Sequence, residues 1–212
     1  TKLAKQKGAL VLLDACQSLA HQKLDVRDLG IDFLAGSGHK LCGPTGIGFL
    51  WSKEEILEKI PPFFGGGEMI QDVYEETSTW AELPHKFEAG TPAIAEAIGL
   101  AEAIKYINNI GLDNIKKYEK HITKYLFEQL NQIKNLQIIG PSPNVDPNRA
   151  SLATFYVKGI HSNDIAEILD SKGICIRSGH HCCQPLHRHI GVNSTARVSM
   201  NFTTTKEDIN TF

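Results

Sequence analysis

The sequence has 212 residues, 42% hydrophobic and 22% charged, and its 22 basic against 24 acidic side chains leave a net charge of -2. That is ordinary material for one or two folded domains, and the balanced charge offers no basic excess for nucleic acid or a membrane face. No apolar run approaches the length of a membrane span, no secretory signal opens the chain, and five cysteines without framework spacing suit a reducing interior.

Taken in order, residues 3–8 read as a helix end with a glycine stop. Residues 9–13 read as a continuous apolar strand ending at Asp14, of the kind buried on both faces at the centre of a parallel sheet. Such a strand lacks its neighbours and preceding crossover here, so Thr1 is not expected to be a natural start and the chain reads as the later part of a longer protein. Residues 17–21 are expected to begin a helix, 24–29 to link, and 31–35 to form a short strand leading to Ser37, His39 and Lys40. Another strand follows at 46–51, then a charged helix at 52–59 stopped by Pro61 and Pro62.

Gly65, Gly66 and Gly67 lack the strand-to-helix context of a phosphate loop and read as a flexible surface loop. Residues 75–80 look irregular, and 87–92 form a compact turn ahead of a helix, with amides open to an anion. Helices are expected at 93–108 and 112–133, separated by Gly111, and a Pro/Asn loop at 140–149. Residues 152–157 alternate as a strand, 162–172 form a capped helix stopped by Gly173, and 174–177 a short strand. This pattern divides the chain at 108/109 into part of a larger α/β domain and a smaller α+β domain.

Two stretches carry chemistry. In Ser37-Gly38-His39-Lys40-Leu41-Cys42-Gly43-Pro44-Thr45-Gly46, one lysine sits between a short apolar run and a Gly/Pro turn, next to an imidazole. It fits an ordinary surface lysine, and it also fits an amine that binds the aldehyde of pyridoxal phosphate (PLP) as a Schiff base. Asp14 lies past another strand end, where ligands of open α/β sheets bind. A carboxylate there would keep the cofactor's ring nitrogen protonated, or would simply cap a helix. Gln17 would then reach the ring oxygen, and Ser37 and His39 the phosphate.

In Arg177-Ser178-Gly179-His180-His181-Cys182-Cys183, successive histidines and cysteines first suggest metal, but structural zinc ligands are spaced by two or more residues so that they converge. A reactive thiol beside Arg177 fits better than a metal site or an inert cysteine pair. Arg197, on an apolar strand, needs a carboxylate partner, either from the chain or from an amino-acid substrate.

Together with Phe87-Glu88-Ala89-Gly90-Thr91-Pro92, these two stretches resemble the SufS-type (group II) cysteine desulfurases, which are class V, fold-type I PLP enzymes. The resemblance spans nearly the whole chain, with its motifs in order. It implies an α/β fold: residues 1–108 as the later part of a PLP-binding large domain, a mostly parallel sheet with helices on both faces, and residues 109–212 as a small α+β C-terminal domain. It also implies that Lys40 is the Schiff-base lysine, Asp14 the pyridinium partner and Gln17 the ring-oxygen neighbour. Ser37 and His39 match phosphate ligands, and Thr91 a threonine that reaches the phosphate in the other subunit of a homodimer. Arg197 matches the arginine that grips the substrate carboxylate, Cys182 matches the cysteine that takes the sulfur, and Arg177, near that cysteine, is a further candidate for binding the substrate.

The activity so implied removes sulfur from L-cysteine, or selenium from L-selenocysteine. Lys40 serves as general base, and L-alanine leaves behind a persulfide on Cys182 for a SufE-type acceptor and iron-sulfur cluster assembly. The expected location is a bacterial cytoplasm or plastid stroma. Cys183 departs from the usual small or hydroxyl residue after the nucleophile. The alternatives are a class V aminotransferase, which needs no nucleophilic thiol, and a non-catalytic scaffold or metal-binding fragment.

Overall fold

A computed structural model describes all residues, Thr1–Phe212, and divides them into two compact units, Thr1–Asp113 and Asn114–Phe212.

The first unit opens with α1 (Lys2–Gln6), closed by Gly8 at a φ of 71°, and β1 (Leu12–Asp14). After α2 (Val26–Leu29), β2 (Phe33–Ser37) pairs parallel to β1, with Asp14 beside Ala35, and β3 (Gly48–Ser52) returns antiparallel to β2. Asp25 starts α2 by accepting the Arg27 amide on its side chain, the usual role of a short acceptor at a helix start. Ala15, Ile31 and Leu34 form a small core with Val11, Leu13, Leu19, Leu24, Val26 and Trp51.

Two expectations fail in this region. β1 is an edge strand of its three-stranded sheet, and Leu12 is 58% exposed, so the apolar run is not covered on both faces by this chain. Residues 17–21 form successive turns closed on the carbonyls of Ala15 and Ser18 instead of a helix. A single turn gains too few bonds to offset helix nucleation, and burial of Ala15 and Ala20 dictates the path instead.

Asp32 ties the unit together. Its buried carboxylate pairs with Lys5, accepts the Val11 amide at 2.8 Å and meets Lys53 Nζ at 3.1 Å. Lys5, the Val11 amide and Lys53 hold that carboxyl far below the usual range against the opposing effect of burial.

α3 (Glu54–Leu57) is shorter than expected, and the Lys86 ammonium meets the Leu57 and Glu58 carbonyls at its end, each at 3.0 Å. β4 (Ile70–Val73) pairs with β5 (Ser78–Trp80), where the sequence looked irregular. Ser-Thr-Trp carries no apolar alternation to read; the pairing is fixed across the hairpin, where Thr79 Oγ1 accepts the Asp72 amide at 3.0 Å. α4 (Ile94–Ile110) ends at Gly111, φ 87°.

The second unit is built on α5 (Leu112–Leu130), whose first residues lie at the boundary. Its buried Ile122, Leu126, Phe127 and Leu130 form one helical stripe. They pack with Ala153, Met200 and Ile209, and full burial of each large apolar side chain is worth about 1.5–3 kcal/mol. The sheet has the order β6 (Leu136–Ile139), β7 (Leu152–Val157), β9 (Thr195–Ser199), β8 (Arg177–Gly179), antiparallel throughout. α6 (Ser162–Asp170) packs beside β8 and β9. α7 (Gln184–Ile190) follows the His-His-Cys-Cys stretch, and α8 (Lys206–Thr211) starts with a capping box between Thr205 and Asp208.

The strand expected at 174–177 starts instead at Arg177, so the arginine, serine and glycine of the motif are themselves strand, fixed by the register of Arg177 on Arg197. No helix is long and apolar enough to cross a membrane.

Candidate functional site

The candidate residues fall into two groups, one in each unit. In the first, Asp14 ends β1, and the Ala15 amide continues the parallel pairing by donating to the Ala35 carbonyl at 3.0 Å. Asp14 Oδ1 accepts the Cys16 amide at 3.0 Å. The Cys16 thiol and amide hold the Asp14 carboxyl below its ordinary value, burial opposes them, and the positive charge of Lys40 adds to the lowering. Asp14 and Lys40 thus share one end of the sheet and feel each other's charge. Gln17 is exposed on the turn that follows Asp14.

Ser37 is half-buried at the end of β2, opposite Gly48 on β3. The chain then winds into a 3-10 turn, Gly38–Leu41, that buries Leu41 and leaves His39 and Lys40 exposed. Backbone packing sets this geometry. A methyl group on Gly48 would lie 2.7 Å from the Gly36 carbonyl oxygen, and one on Gly38 would lie 2.9 Å from that of Ile47. Only glycine lets the strands close this tightly beneath the turn. α4 supports the far side, with Leu100 against Gly43 and Gly99 against Pro44. Thr91 is exposed in the turn before α4, where the Gly90 amide donates to the Gly67 carbonyl at 2.9 Å and so fastens the glycine run to this turn.

In the second unit, Arg177 lies directly opposite Arg197, and Gly179 opposite Thr195. Beyond β8 the chain turns through His181 and Cys182 at φ values of 50° and 62°, the left-handed region that non-glycine residues seldom occupy. Cys182 is exposed, and Arg177 Nη2 donates toward its sulfur at 3.6 Å.

Side chains brace the turn. The Cys183 thiol donates to the His180 carbonyl at 3.0 Å and lies 3.9 Å from His187 Nδ1. The buried His187 places Nε2 3.0 Å from the hydroxyl of the fully buried Thr195. His181 Nε2 lies 3.2 Å from the Thr195 carbonyl. Burial pushes the His181 pKa down first, and the positive charge of Arg197 second; the Thr195 carbonyl opposes, and Arg177 and His187 add to the lowering. Together these favour the neutral imidazole over the charged ring. Two buried polar atoms have no hydrogen-bond partner here: Arg197 Nε and His181 Nδ1.

His181, His187 and Thr195 were not singled out as site residues from the sequence. The signals available were the run of histidines around Cys182, read only as candidate metal ligands or as surroundings of the thiol, and Thr195 standing two residues before Arg197 on one strand face. The five cysteines are all free, and no cluster of three or more His, Cys, Asp or Glu side chains forms a metal-holding group.

The aminotransferase class-V family model matches residues 1–212, and the chain belongs to that family. A probable cysteine desulfurase of Synechocystis sp. is 56% identical over 211 residues, covering 100% of this chain and 50% of that protein. The apo structure of a cysteine desulfurase from Thermococcus onnurineus NA1 superposes with a TM-score of 0.92 at 42% identity, over 100% of this chain and 52% of that one. A C-DES mutant with glycine covalently linked to its PLP cofactor superposes with a TM-score of 0.78 at 26% identity, over 95% of this chain and 50% of that one. The fold of this chain is therefore that of part of a PLP-dependent cysteine desulfurase. The chain spans about half the length of the curated relatives it matches.

Proposed function

We propose that this member of the class-V family provides the lysine, the carboxylate partner and the sulfur-accepting cysteine of a PLP-dependent cysteine desulfurase of the SufS type. The reaction is L-cysteine plus the Cys182 thiol giving L-alanine plus a Cys182 persulfide. The observation that carries this reading is the exposed Cys182 thiol within reach of Arg177, because transamination on the same fold needs no such sulfur. The likeness to proteins named cysteine desulfurase supports it.

The donor set fits the cofactor. Asp14, held anionic at the sheet end, suits a protonated pyridine nitrogen, and the exposed Lys40 suits an aldehyde. When bound, PLP supplies the electron sink that makes the substrate Cα proton acidic. Lys40 would hold the aldehyde and serve as the base for the substrate Cα proton. Gln17 would sit beside the ring oxygen, and Ser37 and His39 would hold the phosphate, with Thr91 doing so for the partner of a homodimer. Arg197 and Arg177 receive the substrate carboxylate, and Cys182 attacks the substrate sulfur.

The same reading takes residues 1–108 as the later part of the cofactor-binding domain and 109–212 as the small domain. It extends to L-selenocysteine as a second substrate, a SufE-type persulfide acceptor feeding iron-sulfur cluster assembly, and the bacterial cytoplasm or plastid stroma. The test is the full-length protein with PLP. A visible absorbance band that shifts on adding L-cysteine, with alanine and sulfide formed, is the expected result. A band without sulfide would move the function to transamination, and no band would defeat the assignment of Lys40.

A further inference from the structure

The second unit contains three buried polar atoms without a hydrogen-bond partner, Arg149 Nε, His181 Nδ1 and Arg197 Nε, and the charge of Arg197, not that of Arg149, acts on the His181 ring. His181 Nε2 faces the Thr195 carbonyl, which can only accept, so Nε2 carries the ring proton and Nδ1 presents a bare lone pair. That lone pair is buried and unpartnered, and the Arg197 Nε–H is a buried, unpartnered donor. Buried polar groups are ordinarily satisfied, so an acceptor on His181 and a donor on Arg197, whose charge acts on that ring, call for an arrangement in which they meet.

The surrounding charges indicate when that happens. Arg177 and Arg197 stand directly opposite each other on antiparallel strands, and neither forms an ion pair with a carboxylate of the chain. Like charges so placed repel, which leaves the position suited to an anion from outside. Thr195 and Arg197 share one face of β9, so the carbonyl that orients His181 and the guanidinium belong to one rigid strand. The His181 backbone is held at a φ of 50°, a conformation that persists only where the surroundings impose it.

We propose that His181 is a positioning residue for Arg197: its Nδ1 accepts the Arg197 Nε–H and so aims the outer guanidinium nitrogens at the substrate carboxylate. This rests on the proposed reading of Arg197 as the carboxylate site. A neutral imidazole is required, because a protonated one would present a second donor to a cation; the lowered pKa of His181 is consistent with this.

Two substitutions in the full-length PLP-loaded enzyme separate this from a bracing role. His181→Asn keeps an oxygen acceptor where Nδ1 stood and tolerates the left-handed backbone, but loses the bond to Thr195. His181→Gln keeps a donor for the Thr195 carbonyl but loses the Nδ1 acceptor. The readouts are KM and kcat for L-cysteine and, independently of turnover, the calorimetric Kd of L-alanine.

We expect His181→Gln to raise KM and the alanine Kd about tenfold, with kcat within about twofold, and His181→Asn to restore both to within about threefold of the parent. Binding of cysteamine, which lacks the carboxylate, is expected to be the same in His181→Gln as in the parent. The opposite order, with the Gln variant normal and the Asn variant impaired, assigns His181 to bracing and overturns the proposal. Two variants that both match the parent, or that both lose binding together with thermal stability, also overturn it. A parent that turns over L-cysteine while these outcomes hold leaves the proposed function standing; a parent that neither binds L-alanine nor releases it from L-cysteine defeats both.

Discussion

The two chemistry-bearing turns are held by opposite means. The turn at Lys40 is set from beneath by backbone against backbone, with glycines where any side chain would strike a carbonyl. The turn at Cys182 contains two non-glycine residues in left-handed geometry and is held from the side by hydrogen bonds through Thr195, His187 and Cys183. In the roles proposed for them, the Lys40 amine gains from a rigid floor, and the Cys182 thiol gains from an exposed, strained position whose supports are a few separable bonds. Close backbone packing tolerates no substitution; a side-chain brace can be weakened one bond at a time.

The largest effect expected is on chemistry. Cys182→Ser in the full-length enzyme should lower sulfide release by at least about 1000-fold while leaving the PLP absorbance band in place, because only the exposed side chain changes. Loss of the band would mean that the second turn also governs cofactor binding, and the contrast would fail.

Next comes the glycine floor. Gly48→Ala places a methyl group 2.7 Å from a main-chain oxygen that cannot swing aside, and should cost about 1–3 kcal/mol in denaturant unfolding, with loss of cofactor occupancy. An unchanged midpoint would show that β2 and β3 can separate freely.

For the braced turn, Thr195→Val removes the hydroxyl that meets His187 but keeps the carbonyl that orients His181. It should destabilise by about 1–2 kcal/mol, because a buried ring nitrogen loses its partner. A loss no greater than that of an exposed substitution would remove Thr195 from the brace. The smallest effect is expected from Cys182→Gly. Relief of the left-handed backbone slightly outweighs the added freedom of the unfolded chain, so stability should rise by about 0.5 kcal/mol as sulfide release disappears. A fall in stability would mean that the exposed Cys182 side chain packs more than it strains.

Much of the framework was legible in residue order. The 152–157 alternation became β7 with the same bounds, the stops at Gly8, Gly111 and Gly173 all lie at positive φ, Asp14 ends β1, and Lys40 lies in the turn that follows β2. These features follow from local rules: a period of two, a permitted φ, a strand that ends in a turn. The same rules failed where a segment is short and its partner distant. Residues 17–21 turned rather than coiled, β5 formed from three residues without alternation, and β8 began at Arg177.

The sequence by itself determined the family resemblance, the helix stops at glycine and the turns that carry Lys40 and Cys182, since motif spacing and glycine placement act within a few residues. Only the tertiary structure decided that Arg177 faces Arg197, that Thr195 serves both His181 and His187, and that Asp14 feels the charge of Lys40. Those relations depend on strand register and burial between residues far apart in the chain, and no periodicity along the sequence encodes them.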